Sequence, residues 1–121
     1  MKRKFMLLVL CIGVLAAAAS GPKLWAQQSS PQRIEITAQR FNFSPGEITV
    51  KKGQPVVLAL KSADVSHGLR IRELNVNMKV KAGGTTEVQF TPDKVGDFIG
   101  HCSVFCGSGH GTMTIKVHVV A

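Results

Sequence analysis

The chain has 121 residues, enough for one domain, and carries fifteen basic against seven acidic side chains for a formal charge of +8. Four of the basic residues, Lys2, Arg3, Lys4 and Lys23, fall near the N-terminus, and the rest are scattered singly or in pairs with no tyrosine and one tryptophan among them. That distribution excludes the basic tract with interleaved aromatics of a nucleic-acid surface, and the cations read as solvated faces with a modest preference for an acidic partner or an anionic membrane surface.

Residues 1–26 read as an export signal. Lys2-Arg3-Lys4 form the basic n-region, residues 5–19 the apolar h-region, and small residues follow. Cleavage after Ala19, with Ala17 at the third position back, or after Ala26 fits this pattern. As a helix the h-region would span about 22 Å, short of the roughly 30 Å hydrocarbon core, so retention as a membrane anchor is the second choice. Either way the protein is expected in the periplasm or another extracytoplasmic compartment. Removal of residues 1–26 leaves eleven basic and seven acidic side chains, a balance of +4. Residues 27–32 are a linker, and 33–121 form the domain, small enough to need tight packing or a metal clamp.

Along 33–121 period-two alternation dominates and no amphipathic helix stands out. Strands are expected at Arg33 to Phe43, Glu47 to Lys51, Pro55 to Lys61, Gly68 to Arg72, Val76 to Val80, Thr85 to Thr91, Asp97 to His101 and Met113 to Val120. Turn chemistry separates them at Ser44-Pro45-Gly46, Lys52-Gly53, Gly83-Gly84 and Thr91-Pro92-Asp93. Short strands at this spacing predict an all-β Greek-key sandwich or barrel. Parity in the last strand puts Met113, Ile115, Val117 and Val119 on the core side, with Lys116 and His118 outside. Met78 alternates with Val76 and Val80 and is expected in the core.

Between the last two strands runs His101-Cys102-Ser103-Val104-Phe105-Cys106-Gly107-Ser108-Gly109-His110-Gly111-Thr112-Met113. Two thiols, an imidazole and a thioether within twelve residues make a soft-metal donor set, and the thioether argues against hard cations and is uncommon for zinc. The spacing would also suit one helix face, but Gly107, Gly109 and Gly111 would each cost a helix about 1 kcal/mol relative to alanine. They suit a tight loop closing around a ligand instead. In an oxidising compartment a Cys102–Cys106 disulfide is the plain alternative. It would close too short a loop to gain much chain entropy and would leave His110 and Met113 unexplained.

A donor from elsewhere in the fold completes the set. His67, in Asp64-Val65-Ser66-His67-Gly68-Leu69, opens a strand, and Gly68 leaves room for close approach. His101 is the rival, although alternation points it away from whatever Cys102 binds. His118 reads as a surface residue. A structural zinc held by His67, Cys102, Cys106 and His110 would again leave Met113 without a role.

The spacing Cys-x3-Cys-x3-His-x2-Met with an upstream Asp-Val-x-His-Gly resembles the binuclear copper (CuA) cupredoxin domain of cytochrome c oxidase subunit II. The resemblance covers about residues 33–121. Phe41-Asn42-Phe43-Ser44-Pro45-Gly46-Glu47-Ile48-Thr49-Val50-Lys51-Lys52-Gly53 is similar to the opening strands of many cupredoxins, and Leu74-Asn75-Val76-Asn77 to the segment that follows the histidine. A mononuclear blue-copper protein of the same fold has one cysteine in this loop, so the second at plus four separates the classes.

The resemblance implies two copper ions bridged by Cys102 and Cys106, an imidazole each from His67 and His110, Met113 as a weak axial ligand, and the Val104 carbonyl as the last donor. Family members often have glutamate at that last position. It also implies one-electron transfer, with a c-type cytochrome or a terminal oxidase as redox partner and no bond-making catalysis by the domain alone. The chain departs from subunit II in having only a short N-terminal apolar segment in place of a two-helix hairpin, and its single tryptophan, Trp25, lies at the leader boundary. A stand-alone periplasmic carrier and the subunit through which electrons enter a cytochrome c oxidase are both consistent with it. Copper storage or delivery for oxidase assembly is the alternative function.

Overall fold

A computed structural model describes residues 30–121. The leader expected over residues 1–26, and residues 27–29 of the expected linker, lie outside the described residues. Nine strands follow in order: β1 (Gln32–Gln39), β2 (Asn42–Ser44), β3 (Glu47–Lys51), β4 (Val56–Ser62), β5 (His67–Ile71), β6 (Val76–Val80), β7 (Thr85–Phe90), β8 (Gly96–His101) and β9 (Thr114–Val120). The helical content among the described residues is two single 3-10 turns, Arg72–Leu74 and His110–Thr112.

Alternation gives each strand one apolar face, and two sheets bury those faces against each other. One sheet runs β2-β1-β4-β7 and the other β3-β9-β8-β5-β6. Two pairings are parallel, β1 with β4 (Ile36 beside Leu60) and β3 with β9 (Val50 beside Val119), and both join strands distant in sequence. The result is the expected all-β cupredoxin-like sandwich. Ile36, Leu58 and Leu60 from the first sheet meet Leu69, Ile71, Ile115 and Val117 from the second, all essentially without solvent exposure. Met78 is buried in the same core.

Apart from small shifts at strand ends, the departure from the expected strands lies in Arg33 to Phe43, which divides into a hairpin. Thr37 pairs with Ser44, Ala38 with Phe43 and Gln39 with Asn42, and Arg40-Phe41 forms the turn. That dipeptide has none of the Gly, Asn or Asp signals of two-residue hairpin turns. Its conformation is held instead by long-range contacts, since the Arg40 N–H donates to the Asp64 carboxylate (Oδ2, 2.8 Å) rather than to a neighbouring strand.

The sheet order decides where the chemistry sits. In the five-stranded sheet the end of β8, the start of β9 and the start of β5 reach one end of the sandwich, with His101 opposite Thr114 and Arg70 opposite His101. The loop 102–113 and His67 therefore converge there, and the β1–β2 turn arrives at the same end from the other sheet.

Candidate metal centre

Cys102 continues the β8–β9 ladder one step beyond the strands, its N–H donating to the Met113 carbonyl (3.1 Å). The two ends of the loop are thereby pinned together. The Ser103 N–H reaches the Gly68 carbonyl (3.4 Å), which ties the same end to β5. Farther along, the His110 N–H donates to Gly107 and the Met113 N–H to His110, so the 3-10 turn turns both donors inward.

Gly68 is required here by close approach. A Cβ on it would collide with the Ser103 hydroxyl and stand 3.0 Å from Val104 Cγ2 and 3.1 Å from the Met78 carbonyl. Gly107 is required twice over, by a φ of 139° and by the Phe41 ring, 2.9 Å from where its Cβ would lie. Phe41, at the hairpin turn, also lies directly over Gly109. Beside it, the Arg40 Nε–H donates to the Cys106 carbonyl (3.0 Å).

Within this frame the donor atoms form a contiguous cluster. Cys102 Sγ and Cys106 Sγ are 3.7 Å apart, well beyond a disulfide bond, and both cysteines are free. His67 Nδ1 lies 3.9 Å from Cys102 Sγ, and His110 Nδ1 lies 3.7 Å from Cys106 Sγ. The Val104 carbonyl oxygen is 3.2 Å from Cys102 Sγ, and Met113 Sδ is 3.7 Å from Cys106 Sγ. Each sulfur thus has one imidazole and one weaker donor beside it. The ligand atoms of His67, Cys102 and Cys106 all lie within 4.8 Å of one another.

These separations suit soft-metal coordination. With metal–sulfur bonds of about 2.3 Å, thiolates 3.7 Å apart subtend roughly 107° at a shared ion. With metal–nitrogen bonds of about 2.0 Å, the sulfur–imidazole pairs at 3.7 and 3.9 Å subtend roughly 119° and 130°. All three separations are short enough for one ion to span. Cys102, Cys106, His67 and Met113 are buried, whereas the His110 ring is half-buried and packs against the exposed Phe105 ring, 5.7 Å between centroids.

Electrostatics agree with the geometry. Burial, then the adjacent Cys102 thiol, pushes the Cys106 thiol up to about 11. A bound cation would supply the positive charge that thiolates in this buried position need. The Asp64 carboxyl is held down to about 2, first by the Arg40 N–H and then by His67. Its Oδ1 is 2.6 Å from His67 Nε2. This bond leaves Nδ1 as the free nitrogen, the one that faces Cys102. Histidine ligands characteristically have such a carboxylate behind them.

Of the residues expected from sequence, the structure brings His67, Cys102, Val104, Cys106, His110 and Met113 together. His101 is exposed on the opposite face, and His118 is engaged by Asp97 (2.6 Å) and Glu47 (3.5 Å) on the sheet surface. Three supporting residues have no sequence-derived role: Asp64, Arg40 and Phe41. The first has a signal, since Asp and His three apart across a loop can hydrogen-bond. The other two have none.

The sequence matches the cupredoxin-like domain family over residues 4–115. It is 30% identical over 95 residues to cytochrome c oxidase subunit 2 of Thermus thermophilus, a match covering 74% of this chain and 70% of that protein. It is 38% identical over 92 residues to the nitrous-oxide reductase of Cupriavidus necator, where the match covers 73% of this chain but only 14% of the relative. Among solved structures, the periplasmic domain of cytochrome oxidase subunit II from Bradyrhizobium japonicum superposes with a TM-score of 0.68 at 22% identity, over 76% of this chain and 86% of that one. At that identity the superposition speaks for the fold.

Proposed function

Since this chain belongs to the cupredoxin-like domain family and is related to cytochrome c oxidase subunit 2, we propose that it is an extracytoplasmic electron-transfer protein with a binuclear copper centre. The observation that carries this reading is the paired donor arrangement: two buried sulfurs side by side, each with its own imidazole and its own weaker donor. A mononuclear site needs one thiolate and leaves the second unused. In this reading Cys102 and Cys106 would hold the copper through their thiolates, His67 and His110 would each supply an imidazole, and Met113 and the Val104 carbonyl would be the weaker donors. Bound there, copper would supply a one-electron redox couple whose charge the paired thiolates would help to spread.

The chain's own residues supply the rest. Asp64 holds the His67 ring in one orientation, and Arg40 and Phe41 hold the loop from the far sheet, so the donors need little rearrangement between redox states. Leu69, Val104 and the core keep water from the sulfurs. Electrons pass to and from a protein partner, a c-type cytochrome or a terminal oxidase. The N-terminal segment, cleaved or retained, decides whether the domain is free or membrane-tethered.

Copper stoichiometry with the electron spin resonance spectrum of the loaded protein tests the reading. Two coppers per chain and one spin shared equally by both nuclei are expected. One copper with a localised spin, or copper that exchanges readily with a chelator, would replace it with copper delivery or storage.

A further inference from the structure

The outer face of the five-stranded sheet, beside Cys102, carries two arginines without an ion-pair partner among the described residues. Arg70 of β5 stands opposite His101 of β8, and Arg72 follows in the 3-10 turn. Together with Ile99, Ser103 and Cys102 they line a groove of about 420 Å³. Neither arginine makes an ion pair or a side-chain hydrogen bond among the described residues, while Arg33, Lys116 and His118 all have acidic partners.

Most of the acids are paired elsewhere. Asp64 is bound to His67, Glu87 to Arg33, and Glu47 and Asp97 to His118. Among the described acids only Glu73 lines the groove, and no ion pair joins it to either arginine. Lys79 of β6, exposed and paired opposite Gly68, extends the same sign of charge. The floor of this groove is a residue whose sulfur lies in the donor cluster. A group seated there adjoins a residue of the donor cluster directly.

Resting on the electron-carrier reading, we propose that this groove is the docking surface for an acidic redox protein, whose carboxylates are received by Arg70, Arg72 and His101. Guanidinium forks match carboxylates bidentately, and unpaired arginines at a rim attract anionic surfaces over a Debye length. A groove admits protruding side chains, which a flat lipid headgroup layer does not offer. The contact would place the partner's acidic patch over Cys102, so attraction and electron path coincide.

The test uses the full copper-loaded chain with two c-type cytochromes of similar size, one acidic and one basic, at low and high ionic strength. Binding is read by titration calorimetry on the loaded and metal-free protein, and electron transfer by stopped-flow absorbance. The acidic cytochrome is expected to bind and react faster at low salt. Arg70→Glu/Arg72→Glu should reduce both affinity and rate by about tenfold or more at low salt and by much less at high salt. Lys51→Glu/Lys52→Glu, the same charge change at the end of β3 remote from the loop, should change either by less than twofold. Arg70→Gln/Arg72→Gln, which removes charge without adding any, should give an intermediate loss with an unchanged thermal midpoint. Equal losses from the two reversals, or preference for the basic cytochrome, would overturn the proposal. Arginine-dependent binding without electron transfer would instead overturn the carrier reading and leave the docking surface standing.

Discussion

His67 Nε2 and Asp64 Oδ1 are 2.6 Å apart, and this single hydrogen bond sets which nitrogen of a buried imidazole faces the sulfur pair. Asp64 is itself fixed by the Arg40 and Val65 N–H groups, so the orientation is determined two residues deep. Asp64→Ala is expected to weaken copper binding by about 10- to 100-fold, the usual consequence of losing a carboxylate behind a ligating histidine. Asp64→Asn, which keeps an acceptor, should lose less. Competition against a graded series of chelators measures both, and equal affinity in wild type and Asp64→Ala would remove the role assigned to this pair.

Arg40 and Phe41 strap the metal loop to the opposite sheet. Arg40→Ala removes the hydrogen bond to the Cys106 carbonyl and should cost about 1 kcal/mol of unfolding free energy. Its larger effect should be kinetic, a faster release of copper to excess chelator. Denaturant titration and release half-life report the two effects separately; an unchanged half-life would confine Arg40 to stability alone.

Gly68→Ala puts a methyl group against Ser103, Val104 and Met78. Overpacking of this kind costs about 1–3 kcal/mol, and here the strain falls on the residue next to Cys102. A lower thermal midpoint and a shifted visible spectrum are expected together. Adding Ser103→Ala, which removes the nearest obstructing atom, should recover part of both, whereas strictly additive losses would mean that the two residues do not press on each other.

Met113→Leu preserves volume in a fully buried position and removes only the thioether. The fold should persist and the reduction potential should rise, because a lost donor destabilises the more positively charged oxidised site. Voltammetry of the two proteins decides it. An unshifted potential would make Met113 a core residue and nothing more.

His118 provides a pH signature distant from the metal. Its hydrogen bond to Asp97, with a smaller contribution from Glu47, raises its pKa above the ordinary histidine value. A raised folded-state pKa contributes stability that is fully present below the unfolded value of about 6.5 and is lost as pH rises through the folded value. The urea midpoint should therefore be higher at pH 5.5 than at pH 8.5 by a margin that His118→Gln reduces. A margin identical in the two proteins would assign the pH dependence to other groups.

Most strand boundaries were legible because alternation is local: β3 and β6 match the expected limits residue for residue, and β4, β5, β7, β8 and β9 shift by a single position at one or both ends. The donor loop was legible for the same reason, with four side-chain donors and three glycines in one short run. His67 could be singled out because a soft-metal loop left room for one more imidazole and Gly68 marked a close approach. Parity likewise separated Met113 and Met78 from His118 and His101.

The sequence by itself determined which face each strand buries and which residues carry donor atoms, since both follow from side-chain type and period. Only the tertiary structure decided who meets whom. The parallel pairings β1–β4 and β3–β9, the bond from Arg40 to Cys106 across sixty-six positions, and the placing of Arg70 and Arg72 beside Cys102 depend on loop closure and sheet order. The hairpin turn at Arg40-Phe41 is the clearest case. Its residues have no turn propensity of their own, and they turn because Asp64 and the Gly107–Gly109 backbone, far along the chain, offer better partners than a continued strand.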